Sequence, residues 1–584
     1  MTAAKRKVAG WFIRPWNSTS SNKSFEKASF SWRIYCPLFL VSFILLTAAM
    51  PRSVEVYDEG LILTGASRVL DGALTHRDFY TNYGPGQFYA VAAVFKLFGQ
   101  SVLAERFLDL MVKSGIICLV LSLSVAMMGR KAAGIATLVT LLWLAAFGSP
   151  GYPIWASMFF MLIAVKAIFP VLEGRHSSAS LVASGVFVGL IVLFRYDVGF
   201  LVCAALSGVL AAYGLAEHRA EGSRAARLFS LIAPFWTGTA AVCMPLFLVF
   251  AASGIIPDFM FQIIQFPSKF YARTRSLPFP LIGHPLSDLA NRGHDIVVYL
   301  PPLALLTALA FLAVPRQQRE THPSALHRDW GWKIALLSSL AFALYFKGVV
   351  RVSALHMALS LIPSILVLFA VAGRLSSDVA DRPTQHIAHM MAALSLALLC
   401  AASSFAALVA VRLSKEGASA ILTGELSRPP QSDISPLGSE GSCVQPPGLE
   451  RTRCFRIENT AAQAVQFIRQ NTAEADPIFV GTGRHDKIFL NDIEFYFIAN
   501  RRPATKWYQF DPGLQTSQAI QESIVAQLKR EDVKYIVLWN QVDNSMEKND
   551  SSKSSGVFIL DDYIKANYKG VKSFGFYSIL VRNS

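Results

Sequence analysis

The chain has 584 residues, 53% of them hydrophobic and 16% charged, with a net charge of +15 and a mean hydropathy of +0.40. Soluble domains carry about 25% charged residues, so this composition, with 41 Phe and 10 Trp, excludes an ordinary soluble protein and specifies a polytopic membrane protein. Residues 1–413 hold 34 Lys and Arg against 19 Asp and Glu, whereas residues 414–584 hold 20 of each; positive charge confined to the apolar part reports topology and excludes nucleic acid as the partner.

Apolar runs of roughly 17–25 residues can cross the hydrocarbon. Eleven are read along the chain, at 34–50, 108–128, 132–148, 153–171, 178–194, 198–215, 229–252, 296–314, 332–347, 352–373 and 387–411. The first 33 residues carry Lys5, Arg6, Lys7, Arg14, Lys23, Lys27 and Arg33 against Glu26, which places the N-terminus in the cytoplasm. The first span, long and without a clear cleavage site, reads as a retained anchor. Alternation then puts the Arg130-Lys131 turn and the basic loops near 219–227, 316–328 and 374–382 inside, and the tail outside. The expected organisation is a cytoplasmic segment 1–33, a transmembrane domain 34–413 with an outer loop 51–107, a Ser/Pro/Gly-rich linker 414–455 and an extracytoplasmic α/β domain 456–584.

The outer loop opens with Glu55-Val56-Tyr57-Asp58-Glu59-Gly60 where the chain leaves the bilayer. An amphipathic helix over 60–74 comes next, then His76-Arg77-Asp78-Phe79-Tyr80, the turn Asn82-Tyr83-Gly84-Pro85-Gly86 and an aromatic helix over 87–98, both helices expected to lie on the membrane. Carboxylates beside a low-dielectric wall gain basicity and can take a proton from an alcohol. Asp58 and Glu59 can equally cap the helix after them, and the Gly-Pro segment can be a plain turn.

A first span followed at once by an Asp-Glu pair, a surface helix, a Tyr-x-Pro turn and a second helix ending in Phe-Gly resembles the GT-C membrane glycosyltransferases. More narrowly it resembles the bacterial branch related to protein O-mannosyltransferases (glycosyltransferase family 39) and the aminoarabinose transferases of lipid A. The match is best over residues 34–130 and excludes the tail. The resemblance implies a sugar carried on a polyprenyl phosphate and transferred on the outer face. It also implies that Asp58 acts at the acceptor side, as base or as a metal-proximal carboxylate. Asp78 and Tyr83 of the same loop join the candidate substrate- and phosphate-binding set.

Further charges lie at outer span ends. Arg106, Asp109 and Lys113 share one helix face. They are either a salt-bridged helix end or the wall of a polar cavity, and Arg106 falls where the resembled family has an arginine. Arg195-Tyr196-Asp197 occupies an outer turn, as a site or as a snorkelling pair. Lys269 and Arg273 are one helical turn apart among aromatics, suited to a lipid phosphate or simply to anionic headgroups. Lys347 and Arg351 flank a short turn, with His356 five residues beyond Arg351. The resembled group carries such an Arg and His, often with an intervening Asp that is absent here, which favours phosphate binding by Arg351 and His356 over a metal role; a buried, hydrogen-bonded histidine is the alternative.

In the tail, helices are expected over 460–470 and 515–530 and strands over 477–481, 533–539 and 575–581, a small α/β fold. Gly481-Thr482-Gly483-Arg484 lacks the rest of a phosphate loop and reads as a turn. Cys443 and Cys454 would favour a disulfide in an oxidising compartment. The fold class expected is thus an α-helical polytopic GT-C protein with a C-terminal α/β domain. The expected function is an inverting glycosyltransferase of the inner membrane, using a polyprenyl-phosphate sugar donor and an envelope lipid, glycan or protein acceptor. Asp58 would be the base and Glu59 its helper, with Arg106, Lys269, Arg273 and Arg351 on the phosphate. No cofactor is indicated and a divalent cation is left open. A transporter of lipid-linked sugar or a noncatalytic glycolipid-binding protein are the alternatives.

Overall fold

The computed structural model describes residues 32–175, 177–216, 223–280, 293–313, 325–375, 383–422, 448–453 and 455–583. Most of the basic N-terminal segment and the two tail cysteines lie outside the described residues. Eight helices are long and apolar enough to cross a membrane. Three shorter apolar helices, Trp32–Ala48, Ser178–Phe194 and Val297–Ala313, complete the eleven segments expected from the sequence.

In chain order the helices that position the site are α1 (Trp32–Ala48), α2 (Asp58–Leu70), α3 (Pro85–Phe98), α4 (Val102–Val125), α5 (Arg130–Phe147), α6 (Ile154–Leu172), α7 (Ser178–Phe194), α8 (Tyr196–Ala216) and α9 (Arg224–Ala252). They are followed by α10 (Leu300–Ala313), α11 (Ala325–Val350), α12 (Ala354–Leu375) and α13 (Pro383–Leu422). α4 begins six residues before its apolar run, because Ser101 caps Ala104 N and Arg106, Asp109 and Lys113 of its first turns are paired within the protein. α7 and α9 pack at very close range. A Cβ on Gly185 would run into the Phe235 carbonyl and one on Gly238 into the Val182 carbonyl. Helices that cannot use the hydrophobic effect against lipid associate by this kind of small-residue contact.

The C-terminal domain contains a four-stranded sheet, β1 (Phe479–Thr482), β2 (Tyr535–Trp539), β3 (Tyr568–Phe574) and β4 (Tyr577–Arg582), in the order β1-β2-β4-β3. β1 and β2 are parallel, with Val480 opposite Val537, and β4 pairs antiparallel with both β2 and β3. Helices α14 (Asn459–Asn471), α15 (Glu494–Ala499), α16 (Gln518–Arg530) and α17 (Ile559–Asn567) complete it. The alternation in β3 is weak, all but its ends being exposed, which is why the sequence did not single it out as a strand.

α2 is covered by protein. Glu59 through Ala66 are all buried, packed between α3 and the C-terminal domain. The Val56 carbonyl accepts both Ile493 N and Glu494 N at 3.0 Å. Gly60 meets the Glu494 backbone so closely that a Cβ there would stand 2.5 Å from Glu494 N. Phe95 of α3 stacks on Phe497 at 5.7 Å between ring centroids, and Tyr80 and Phe266 enter the core of the C-terminal domain beside Trp507 and Phe510. The tail is therefore joined to the outer loop by a continuous apolar interior.

Candidate active site

The geometry starts where α1 ends. The Glu55 carboxylate accepts the backbone N–H groups of Tyr57 and Glu59, both at 3.0 Å, and so supplies the cap that α2 needs. Asp58 is left free of that duty, and its Oδ1 accepts the Tyr83 hydroxyl at 2.6 Å. Tyr83 is held there by the turn after it. Gly84 N donates to the Phe194 carbonyl at 3.1 Å, and a Cβ on Gly84 would collide with the Leu193 carbonyl, so only glycine lets the turn seat on the end of α7. The same seating brings Arg195 over the Tyr83 ring, 4.9 Å from its centroid.

Arg195 and Arg275 act on this carboxylate, and further cations gather beside them. Arg195 makes a two-pronged pair with Asp197, at 3.0 and 2.8 Å, and reaches the Tyr152 hydroxyl at 3.4 Å. Lys347, at the end of α11, has its ammonium 3.9 Å from Asp197 and makes no hydrogen bond among the described residues. Arg275 pairs with Asp511 of the C-terminal domain at 2.8 Å and donates to Tyr57 at 3.4 Å. Arg351 is held by Glu547, at 2.9 and 2.6 Å, and donates to the Arg275 carbonyl at 2.9 Å. His356 Nδ1 lies 2.8 Å from Ser353 Oγ, and Arg195, Arg275, Lys347 and Arg351 all act on it electrostatically.

Glu55 and Asp58 keep solvent-accessible surface although protein surrounds them, as expected for the walls of a recess, and Asp197 keeps 44% of its side chain accessible. Burial raises the Asp58 carboxyl above its ordinary range, against the opposing pull of the Tyr83 hydroxyl and of Arg275 and Arg195. Burial, and then the charge of Asp58, push Glu55 up to about 8. The pair therefore holds a proton near neutrality and forms a basic centre opposite a cationic wall.

Of the residues singled out by sequence, Asp58, Tyr83, Arg195, Arg351 and His356 are drawn into this recess. Glu59 and Arg106 are not. They form a buried two-pronged pair at 2.7 and 2.8 Å, with side chains 0% and 1% exposed. Arg106 also donates to the Pro51 and Ser53 carbonyls and lies 4.4 Å from the Phe455 ring centroid. Its guanidinium is spent on holding the exit of α1 against the C-terminal domain, which leaves Glu59 no free oxygen to orient an acceptor. Asp78 closes a turn, accepting Leu74 N at 2.7 Å and pairing with Arg77. Lys269 is exposed, and Arg273 is 74% exposed with only a 3.4 Å contact to Asp550.

The buried cation of that segment is Arg275, two residues on. The stretch contains two π-helical turns, Phe261–Gln265 and Pro267–Tyr271. Each extra residue rotates the downstream chain by roughly 100°, so α-helical spacing selects the wrong basic residue. Asp511 and Glu547 had no signal at all, because their partners are hundreds of residues away. Among the described residues no group of three or more His, Cys, Asp or Glu side chains is arranged to hold a metal ion.

A bundle of apolar helices, an outer loop folded back at the exit of the first of them and a C-terminal α/β domain seated over that loop make up a fold that is similar to that of solved structures. The apo structure of ArnT from Cupriavidus metallidurans superposes with a TM-score of 0.51 at 13% identity, covering 94% of this chain and 98% of that one. The Archaeoglobus fulgidus oligosaccharyltransferase tethered to an acceptor peptide gives 0.48 at 13% identity, over 94% and 73% of the two chains. The mycobacterial arabinofuranosyltransferase AftD gives 0.47 at 13% identity, over 95% and 42%. These are likenesses of fold. No protein-family model and no curated protein matches the sequence.

Proposed function

We propose that the chain is an inverting glycosyltransferase that moves a sugar from a polyprenyl-phosphate carrier to a hydroxyl of an envelope acceptor at the outer face of the inner membrane, with the C-terminal domain on that face. The observation that carries this reading is Asp58, a carboxylate of raised basicity that caps no helix and feels Arg195 and Arg275, the two cations that act together with Lys347 and Arg351 on His356. A base and a cationic wall at helix ends suit an acceptor alcohol on one side and a departing phosphate on the other.

The acceptor oxygen forms its bond to the anomeric carbon while the bond from that carbon to the phosphate oxygen breaks. The bonding pair leaves on the phosphate and the hydroxyl proton passes to an Asp58 oxygen. Attack from the face opposite the leaving group inverts the anomeric carbon. Lys347, the cation with the weakest pairing, and Arg351 with His356 take the charge that grows on the phosphate. Tyr83 holds Asp58 in place, and its own burial and the neighbouring Asp58 charge keep its hydroxyl protonated as a donor.

The test is transfer in proteoliposomes, with radiolabelled polyprenyl-phosphate sugars and extracted envelope as acceptor. Wild type is expected to move label to acceptor, and Asp58→Asn to lose about 10²–10⁴-fold in rate, the usual worth of a general base. Undiminished transfer by Asp58→Asn would remove the base assignment. Label crossing the bilayer in unchanged chemical form would replace the enzyme by a transporter.

A further inference from the structure

The cationic wall is mostly paired, with four cations against three carboxylates. Arg195, Arg275 and Arg351 each carry a carboxylate partner, Asp197, Asp511 and Glu547, and Lys347 shares Asp197. An incoming phosphate can meet the one unbalanced charge, on Lys347, but to engage an arginine of the wall it must displace one of these carboxylates. Two of them cannot leave. Asp511 is fixed by Tyr57 at 3.1 Å, Tyr80 at 3.0 Å and Gln509 at 3.2 Å besides Arg275. Asp197 lies in the first turn of α8, the helix that Arg195 immediately precedes, so the two stay within reach of each other whatever the surroundings do.

Glu547 is different. It stands on the segment between β2 and α17, beside Met546, whose side chain is turned to solvent. Among the described residues its carboxylate is held only by Arg351 and by Asn549 Nδ2 at 2.9 Å. Its backbone N–H rests on Ser552 Oγ at 2.8 Å, a contact five residues along the same segment. Arg351 in turn donates to the Arg275 carbonyl and pairs in β fashion with Leu277, and Asn549 donates to the Ser276 carbonyl at 2.7 Å. One carboxylate thus fastens the C-terminal domain to both the α11–α12 turn and the Arg275 segment.

We propose that Glu547 is a latch that occupies Arg351 between turnovers and is displaced by the phosphate of the lipid-linked donor. This rests on the recess being the donor site. A carboxylate and a phosphodiester each present two charge-sharing oxygens and one negative charge, so the exchange preserves both the fork geometry of Arg351 and the net charge of the wall. Displacement frees the 540–553 segment and opens the seam between the C-terminal domain and the α11–α12 turn. After transfer the phosphate, now a monoester, leaves and Glu547 returns to Arg351, which couples product release to closure.

The probe is a polyprenyl phosphate without sugar, titrated against the full-length protein in nanodiscs. Wild type is expected to bind it, and Glu547→Gln, which keeps the shape and removes the competing charge, to bind about tenfold more tightly, a ratio in the range of charged hydrogen-bond competition. Hydrogen exchange of amides 545–553 is expected to rise in wild type when the lipid phosphate is added. Wild type binding with Glu547→Gln equal or weaker, or protection of 545–553 on binding, would overturn the latch and leave the donor site standing. Tighter binding by Asp197→Asn instead would assign displacement to the other carboxylate and also overturn it. Absence of binding by wild type and both variants would overturn the donor site itself, and the latch with it.

Discussion

Asp58 is available for chemistry because Glu55 has taken over the capping of α2, and that division between two carboxylates three residues apart has consequences for pH dependence. The pair shares a proton up to about 8, and only the ionised Asp58 accepts a proton from the acceptor. The rate should therefore climb with pH through neutrality toward about 8, where the proton is lost. Glu55→Gln removes one of the two charges, so the acid limb of kcat/KM should move to lower pH. Tyr83→Phe removes a hydrogen bond that favours the charged carboxylate, so the limb should move up. A pH–rate series on the three proteins checks both directions, and coincident profiles would dissociate the pair from catalysis. Folding obeys the opposite sign. A carboxyl raised from 4.5 to about 8 contributes stability that is full below pH 4.5 and lost as the pH rises through about 8. Arg106 separates from this group by the same kind of reasoning. Breaking a buried pair by removing one partner costs about 3–5 kcal/mol, so Arg106→Gln should lower the melting temperature sharply. A phosphate contact would instead raise the apparent KM at unchanged melting temperature.

At the scale of elements, α2 is the joint of the molecule. It is fixed by α3 on one side and by α15 on the other, with Gly60 against Glu494. Gly60→Ala should push the C-terminal domain off its seat at a cost of about 1–3 kcal/mol, the usual penalty of overpacking a tight interior. Limited proteolysis would read this as faster cleavage between the transmembrane and C-terminal parts, and an unchanged pattern would remove α2 from that role. The hydropathy of the spans is legible in the sequence because lipid demands continuous apolar runs, and all eleven segments appear as helices. The start of α4 is less legible. Glu59 neutralises Arg106 and Asp109 neutralises Lys113 inside the protein, and a window of hydropathy sees only the charges of Glu105, Arg106, Asp109 and Lys113. The burial of α2 was hidden for a related reason. Its amphipathic pattern reports an apolar face without saying whether lipid or the tail will cover it. The candidate site was half legible. Asp58, Tyr83, Arg195, Arg351 and His356 could be found from their places at span ends. Arg275 was masked by the π-turns before it, and Asp511 and Glu547 by their distance along the chain.

At the scale of the whole molecule, the apolar interior runs without a break from the spans through the outer loop into the sheet. Phe79 lies against Tyr508, Tyr80 against Trp507, and Phe95 against Phe497, at 5.7–6.1 Å between centroids. Each pair has one ring from the outer loop and one from the C-terminal domain. Interfaces between independent domains are polar and of modest area, whereas this one buries aromatic side chains in series. It also buries charge, since Asp511 of the C-terminal domain has Arg275 as its counterion and the hydroxyls of Tyr57 and Tyr80 as donors. A fragment that begins at residue 448 would expose Phe497, Trp507, Tyr508 and Phe510 together and leave the Asp511 carboxylate without its loop partners. The fragment alone should accordingly bind a hydrophobic dye and melt without a cooperative transition, while the same residues in the full chain unfold with the membrane domain. Monodisperse elution and a sharp melt of the fragment would show two independent domains. The docking would then be reversible, and the recess between them would be a cleft that opens by domain motion instead of by the movement of one segment.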